Sequence, residues 1–258
     1  MLARAAIVPS RVGRLLQNAG VAADSLDAFA LLLVEVAQLV ADLGEVTALE
    51  LNPVIITADG VTVGAARIDV APFSGPAHRR LAIRPYPREL EETLPLPDGS
   101  TLLIRPVRPE DEPAFIAGFA QMSLEEVRMR FMHVVKELTH DEAVRLTRID
   151  YDREMALVAL RHWPDQPAEG CGVARFISEP DRERAEFAII LLRDATGIGL
   201  SSLLLRRLIQ HARNEGIREL YGEILRENEP MLELCRAMGF AVEACPEDSG
   251  VRIATLRL

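Results

Sequence analysis

The sequence has no long hydrophobic run. No stretch approaches the ~18 uninterrupted apolar residues that a membrane-spanning helix needs. The most apolar stretch, residues 28–40, is interrupted by Glu35 and Gln38. The first residues carry Arg4 and Arg11 but no apolar core followed by a small-residue cleavage site. We therefore expect neither a secretory leader nor a membrane partner.

Cysteine is also scarce, and the 29 basic residues are outnumbered by 39 acidic ones. The three cysteines, Cys171, Cys235 and Cys245, are an odd number, and their spacing matches no metal site. Few cysteines fit a reducing cytoplasm better than a disulfide framework, so we expect a cytoplasmic protein without a metal. The net charge of −10 argues against a nucleic-acid partner, because proteins that bind phosphate backbones concentrate Lys and Arg.

The chain is long enough for one large domain or two modest ones. It has 258 residues, of which 49% are hydrophobic, so a well-filled core is expected. A composition shift divides it, because six prolines lie between residues 72 and 97. Proline removes backbone donors and restricts the residue before it, so this range predicts a linker. The resulting segments are residues 1–71, the linker 72–100, and residues 101–258.

The third segment shows an ordered series of strands and helices. Ser123 and Thr139 each begin a capping-box pattern, which marks the start of a helix. Strands are predicted near residues 101–107, 155–160, 172–177, 185–192, 219–225, 240–244 and 251–256, and helices near 199–215 and 229–238. This order predicts an α/β fold with a mixed sheet flanked by helices.

The stretch most informative about function is a strand, a glycine-containing turn and a helix at residues 186–202. Helix N-termini carry unpaired N–H groups and a partial positive charge, so they bind anions. Gly197 and Gly199 permit a phosphate to approach the backbone closely. No Gly-Lys-Ser/Thr follows, which excludes the Walker pattern, and Ser202 replaces the third glycine of the dinucleotide fingerprint. The stretch predicts another kind of phosphate site, with a plain strand-to-helix turn as the alternative.

Residues 194–201 resemble the coenzyme A pyrophosphate loop of GNAT acyltransferases, Gln/Arg-x-x-Gly-x-Gly/Ala. Further along, residues 227–240 resemble the second motif of that family, an asparagine, here Asn228, followed by a helix that ends in Gly-Phe. Both motifs stand in the order of the family within residues 101–258. The resemblance implies the GNAT fold, a mixed sheet flanked by helices, and acyl-CoA-dependent N-acyl transfer.

The loop motif can be aligned in two ways. With Gly199 as the first motif glycine, Thr196 stands where Gln, Arg or Lys is usual, and Ser201 stands where Gly or Ala is usual. With Asp194 as the first motif residue and Gly199 as the last, both glycine positions are satisfied, but a carboxylate lies beside the phosphates. We prefer the first alignment because it keeps Ser201 in register with the helix. Either alignment departs from the family pattern, which leaves open a domain that binds coenzyme without catalysis.

The resemblance also assigns residues to the coenzyme. In this family the pantetheine arm of acetyl-CoA, or of another short acyl-CoA, pairs with the strand before the loop. The helix N-terminus after the loop holds the diphosphate. The residues assigned in this way are Ile190, Leu191, Leu192, Thr196, Gly197, Ile198, Gly199, Leu200, Ser201, Ser202 and Asn228.

Glu186 is the candidate general base. Acyl transfer to an amine needs a group that removes the ammonium proton. In the family a glutamate a few residues before the coenzyme-pairing stretch lies near the thioester, and Glu186 holds that position. We expect it to be partly buried among its apolar neighbours, which suits a base. The alternative is a glutamate that faces solvent or pairs with Arg175 or Arg184. Many family members protonate the leaving thiolate with a tyrosine where this chain has Cys235; we interpret that cysteine as a packing residue.

The first segment carries a second resemblance. A helix is predicted up to about residue 43, and strands at 46–56 and 61–70 are joined by a turn. With the Glu-x-Asn pair at Glu50 and Asn52, this segment looks like the closing piece of the ATP-grasp subdomain in NDP-forming acyl-CoA synthetases. In that family the pair helps to hold Mg²⁺. Because only a small α+β fragment matches, we expect no independent ligase activity, and we interpret Glu50 and Asn52 as structural.

The two resemblances together predict a function. The combination is similar to bacterial protein lysine acetyltransferases in which a synthetase-like region is joined to a GNAT domain. The resemblance implies a protein partner with an acceptor lysine, acyl-CoA synthetases among the candidates. Three alternatives stay open: a small-amine acyltransferase, a sensing or scaffolding module without catalysis, and a piece of a longer ligase-acyltransferase.

Overall fold

A computed structural model describes residues 2–58, 60–75, 77–132, 135–192 and 199–258. The chain forms two compact units, Met1–Pro85 and Tyr86–Leu258. Their boundary falls inside the proline-rich range 72–100. The described residues also form three short 3-10 helices, Ala77–Arg80, Arg88–Leu90 and Pro109–Asp111.

The described part of the first unit contains three helices and two small antiparallel sheets. The helices are α1 (Leu2–Ile7), α2 (Arg11–Asn18) and α3 (Ala23–Asp42), and the strands are β1 (Val46–Leu51), β2 (Val54–Thr57), β3 (Gly60–Val63) and β4 (Ala66–Val70). β1 pairs with β4 and β2 with β3. Each of the two predicted strands is divided in two, because Pro53 cannot donate to a ladder and Gly64 packs against its ring.

The second unit is built around an eight-stranded sheet in the order β11-β12-β10-β9-β8-β7-β6-β5. The strands are β5 (Glu92–Pro95), β6 (Thr101–Pro106), β7 (Glu154–His162), β8 (Glu169–Ser178), β9 (Arg184–Leu191), β10 (Glu219–Leu225), β11 (Ala241–Ala244) and β12 (Val251–Arg257). The helices are α4 (Glu112–Ala120), α5 (Leu124–Phe131), α6 (His140–Thr147), α7 (Leu200–Asn214) and α8 (Glu229–Ala237). All neighbouring strands are antiparallel except β9 and β10. The predicted mixed sheet flanked by helices is confirmed.

One strand of this sheet was absent from the sequence prediction. β5 lies inside the range interpreted as a linker and pairs with β6 over four residues on each strand. The prolines around this strand led to the prediction of a linker. Pro95 is the last residue of β5, and proline is tolerated on an edge strand.

Helix α7 covers one face of the sheet. Its fully buried residues Leu204, Leu205 and Leu208 join a core that includes Ala185 and Phe187 of β9. Arg206, Arg207, Gln210 and Arg213 of the same helix are exposed. Successive side chains of a strand point to opposite faces, so Glu186, Ala188 and Ile190 lie on the face away from α7.

Helices α4, α5 and α6 lie against that other face. The predicted capping boxes start two of them: Ser123 Oγ accepts a hydrogen bond from Glu126 N at 3.2 Å, and Thr139 Oγ1 accepts one from Glu142 N at 3.3 Å. Phe115 of α4 packs against a buried cluster that includes Val158. Within the described ranges, no helix is both long enough and apolar enough to span a membrane.

Candidate active site

The two parallel strands in the middle of the sheet diverge. β9 pairs with β10 at three positions, Arg184 with Glu219, Ala185 with Leu220 and Glu186 with Tyr221. From residue 187 onward, β9 has no strand partner on that side among the described residues. Its backbone N–H and C=O groups on this edge are therefore available to a ligand that extends along the strand.

A cleft of about 550 Å³ lies along the free end of β9. Its lining comes from β9, from one side of α5, and from the first turns of α7 and α8. Ile189, Ile190 and Leu191 form its strand wall, and Met231 and Leu234 add apolar surface on the side of α8. The cleft thus combines an open strand edge with two helix N-termini, an arrangement that accepts an extended ligand with an anionic end.

The N-terminus of α7 is a positive end that no acidic residue of its first turn compensates. Gly199 is the N-cap residue, with φ 70° and no side-chain cap, and the first turn contains no acidic residue. A Cβ at this position would meet no atom within 4 Å, so the left-handed backbone conformation is what favours glycine there. Ser201, in the first turn, lines the cleft. The first N–H groups of a helix have no intrahelical acceptor, so they are available to an anion.

Asn228 is the N-cap residue of α8 and also lines the cleft. Its Oδ1 accepts a hydrogen bond from Met231 N at 3.3 Å. The side-chain NH₂ group is a donor that this cap does not use. The residue therefore combines a structural role, which fixes the start of α8, with a donor beside the cleft.

Two acidic side chains of the cleft, Glu126 and Glu227, are held by partners. Glu227 forms an ion pair with Arg128 of α5, and Glu126 accepts hydrogen bonds from Ser123 in the capping box. Arg128 therefore offsets the negative charge of Glu227, which would otherwise oppose an anionic ligand.

Glu186 lies on β9, and its pairing with Tyr221 is the last before the strands diverge. The carboxylate is exposed, so the expectation of partial burial is wrong. The reason is strand alternation: the flanking Ala185 and Phe187 point into the core on the α7 side, which turns Glu186 to the other face. Arg175 pairs with Glu154 instead, and Arg184 pairs with Glu219.

A residue that sequence reasoning missed is Arg130 of α5. It lines the cleft, and no ion pair joins it to a carboxylate in the described part of the chain. Burial lowers the pKa of Arg130, the neighbouring Arg175 lowers it further, and the Glu186 carboxylate opposes both effects. Arg130 and Glu186 therefore act on each other electrostatically. No local pattern could predict this interaction, because the two residues are far apart in the chain.

The structure brings most of the described candidates together. Ile190, Leu191, Gly199, Leu200, Ser201 and Asn228 all line the cleft. Leu192 lines a neighbouring apolar cavity instead, and Ser202 lies in the first turn of α7 without lining the cleft. Thr196, Gly197 and Ile198, and with them the choice between the two loop alignments, lie outside the described residues. No cluster of His, Cys, Asp and Glu suited to a metal occurs among the residues described.

Cys235 packs inside the core. It is 0% exposed, and burial raises the pKa of its thiol to about 12. A thiol without access to the cleft cannot hand a proton to a leaving group there, which supports the packing role.

We expect Cys235→Ala to change kcat of acyl transfer by at most about threefold, because the thiol takes no part in proton transfer. A small loss of stability is expected from the unfilled volume. The check is steady-state kinetics of the variant beside a thiol titration of the native protein. The half-exposed Cys245 should react before Cys235. A drop in kcat of about 10²-fold, with the fold intact, would show that the thiol takes part in catalysis.

Residues 101–241 match the family model described as an acetyltransferase (GNAT) domain. The chain belongs to the GNAT family. An acetyltransferase of Pseudomonas aeruginosa is 34% identical over 163 residues, which cover 63% of this chain and 87% of that protein. The protein is thus a GNAT acetyltransferase, an enzyme of the N-acyltransferase class.

Solved GNAT structures share the fold. The GNAT domain of S. lividans PAT superposes with a TM-score of 0.59 at 24% identity, covering 67% of this chain and all of that one. Spermidine N-acetyltransferase from Vibrio cholerae, in complex with CoA and spermine, has a TM-score of 0.50 at 20% identity and covers 60% of this chain and 95% of its own. Separately, residues 1–70 match the ATP-grasp domain model.

Proposed function

We propose that this GNAT protein transfers an acetyl group from acetyl-CoA to lysine side chains of other proteins, with Glu186 as the general base. The observation that carries the proposal is the position of Glu186: an exposed residue at the last pairing of β9 with β10, which acts electrostatically on Arg130, a residue that lines the cleft. A base on the surface can be reached by a side chain that projects from a large partner. A small-molecule site would enclose its base more fully.

The residues of the cleft fit the coenzyme. The free edge of β9 at Ile189–Leu191 offers backbone groups to the amides of the pantetheine arm. The first turn of α7, with Ser201, suits the diphosphate because its N–H groups and helix dipole favour anions. Asn228 adds a side-chain donor at the start of α8. Each of these roles is part of the proposal.

The chemistry is direct transfer. Glu186 accepts a proton from the lysine ammonium group, which frees the nitrogen lone pair. The nitrogen attacks the thioester carbonyl carbon, a C–N bond forms, and the developing oxyanion is stabilised by backbone N–H groups of β9. The C–S bond then breaks, and the CoA thiolate takes a proton from solvent. The products are an amide and free CoA.

The protein acceptor is proposed from the domain combination. The ATP-grasp match over residues 1–70 precedes the GNAT domain in the same chain. This pairing resembles protein lysine acetyltransferases that act on acyl-CoA synthetases. The few cysteines favour a reducing compartment such as the cytoplasm for the reaction.

Transfer of labelled acetyl groups tests the proposal. The full chain is incubated with labelled acetyl-CoA and, in separate reactions, with a purified acyl-CoA synthetase, lysine peptides and free polyamines. Label on synthetase lysines, located by mass spectrometry, is the expected result. Label on polyamines alone would contradict the protein acceptor, and acetyl-CoA binding by calorimetry without any transfer would favour the sensing module.

A further inference from the structure

A second hollow lies on the face of the sheet away from α7. It measures about 130 Å³ and lies between β7, β8 and β9 and the helices α4, α5 and α6. We call it the apolar cavity. Its walls are mainly aromatic and aliphatic, among them Phe115, Phe119, Phe131, Leu146 and Leu160. An apolar space of this size costs stability when it is empty, so a built-in cavity of this kind is a place for a ligand.

The apolar cavity adjoins the coenzyme cleft. Arg130 and Ile190 line both of them. Ala188 also lines the cavity and lies two positions after Glu186 on the same face of β9. A thioester held beside Glu186, with its pantetheine arm along Ile190, would therefore lie at the mouth of the cavity.

We propose that the apolar cavity holds the carbon chain of the transferred acyl group, so that the enzyme accepts chains longer than acetyl. This inference rests on the proposed function, because it uses the coenzyme position in the cleft. A cavity of about 150 Å³ with a comparable lining is large enough for benzene, so this one holds a chain of about four or five carbons. The C–N bond that forms and the C–S bond that breaks are the same as in acetyl transfer. Only the carbon chain attached to the carbonyl carbon is longer.

Charge at the mouth favours the acyl chain over the amine as the occupant. Arg130 and Arg175 both line the apolar cavity, and the acidic residue of its lining, Asp111, is already paired with Arg105. A cationic ammonium group in the cavity would therefore be repelled by Arg130. The exposed Glu186 offers the amine a route from solvent with a carboxylate at its end. A neutral, apolar acyl chain carries no such penalty.

Gly118 of α4 offers a way to fill the cavity. It lines the cavity, and an added Cβ would meet only Leu192 Cδ1, at an ordinary contact distance of 3.8 Å. Its position inside a helix tolerates a longer side chain, since leucine forms helices better than glycine. Ala117, its neighbour on the same helix, is exposed and does not line the cavity, so Ala117→Leu is the matched control.

The experiment is calorimetry of the full chain with acetyl-, butanoyl- and hexanoyl-CoA in the absence of an acceptor. Each added methylene should tighten Kd by about fourfold until the cavity is full. Butanoyl-CoA should therefore bind about 15-fold more tightly than acetyl-CoA in the native protein and in Ala117→Leu. In Gly118→Leu this gain should disappear while Kd for acetyl-CoA stays the same. If Gly118→Leu does not fold, the smaller Gly118→Ala should weaken the longest chain by about fourfold.

The outcomes separate the two proposals. Equal Kd values for the three acyl chains in the native protein would overturn the cavity assignment and leave acetyl transfer standing. No binding of any CoA ester at millimolar concentration would overturn both. A third contrary result is kinetic: Gly118→Leu raising KM for the amine instead of Kd for the acyl-CoA would assign the cavity to the acceptor.

Discussion

Glu186→Gln should lower kcat for amine acetylation at neutral pH by about 10²- to 10³-fold, because the amide cannot take the ammonium proton. KM for acetyl-CoA should change little, since Glu186 is not among the residues that line the coenzyme cleft. The defect should shrink as pH rises. A lysine amine has a pKa of about 10.4, so below that pH the neutral fraction increases about tenfold for each pH unit. An enzyme without a base depends on that fraction alone.

The measurement is kcat and KM from pH 7 to pH 10 for the native protein, Glu186→Gln and the control Glu243→Gln. Glu243 is an exposed glutamate on the short strand β11, away from the cleft. The control should keep native rates across the range. Equal kcat values for native protein and Glu186→Gln at pH 7 would remove Glu186 from the mechanism, while the GNAT fold and family would stand.

Ser201→Asp should weaken acetyl-CoA binding by about 10²-fold. A new carboxylate in the first turn of α7 would lie close to the proposed position of the diphosphate, and like charges about 4 Å apart repel by about 4 kcal/mol at an effective dielectric constant of 20. Solvent around the cleft reduces this penalty, which is why the expected loss is smaller than that figure. The same carboxylate should stabilise the helix itself by about 0.3–1 kcal/mol, because it compensates the positive end of the helix dipole.

The opposite signs of the two effects make this variant informative. Loss of binding together with an unchanged or higher melting temperature cannot result from unfolding. Ser201→Asn, which has nearly the shape of aspartate without its charge, is the matched control and should change Kd by no more than about threefold. Salt should reduce the defect of Ser201→Asp, since screening weakens the repulsion. Calorimetry showing the same Kd for both variants would mean that the diphosphate does not lie at the start of α7.

The candidate site could be predicted in part. Features that depend on neighbouring residues can be recognised without coordinates. They include the glycine-containing turn, the absence of an acidic residue from the first turn of α7, and the Asn228 cap. The exposure of Glu186 could not be predicted in this way. The side chain has apolar neighbours in sequence, but they point to the opposite face of the strand.

Arg130 and the apolar cavity could not be predicted, because they depend on the packing of distant segments. Arg130 belongs to α5 and meets the environment of Glu186 only when α5 lies on the sheet. The apolar cavity is enclosed by helices and strands spread over residues 111–192. Aromatic and aliphatic residues at these positions look like ordinary core residues in the sequence. Only the packing of these helices and strands against one another shows that they enclose a cavity.

The sequence by itself determined the family, the order of strands and helices in the second unit, and the helix start that suits an anion. These features follow from periodicity, capping boxes and glycine positions, which act over a few residues. Tertiary structure decided where β9 and β10 diverge, that Glu186 is exposed, and that Arg130 and Ile190 are shared by the cleft and the apolar cavity. Those features arise from contacts between segments far apart in the chain, which no local pattern encodes.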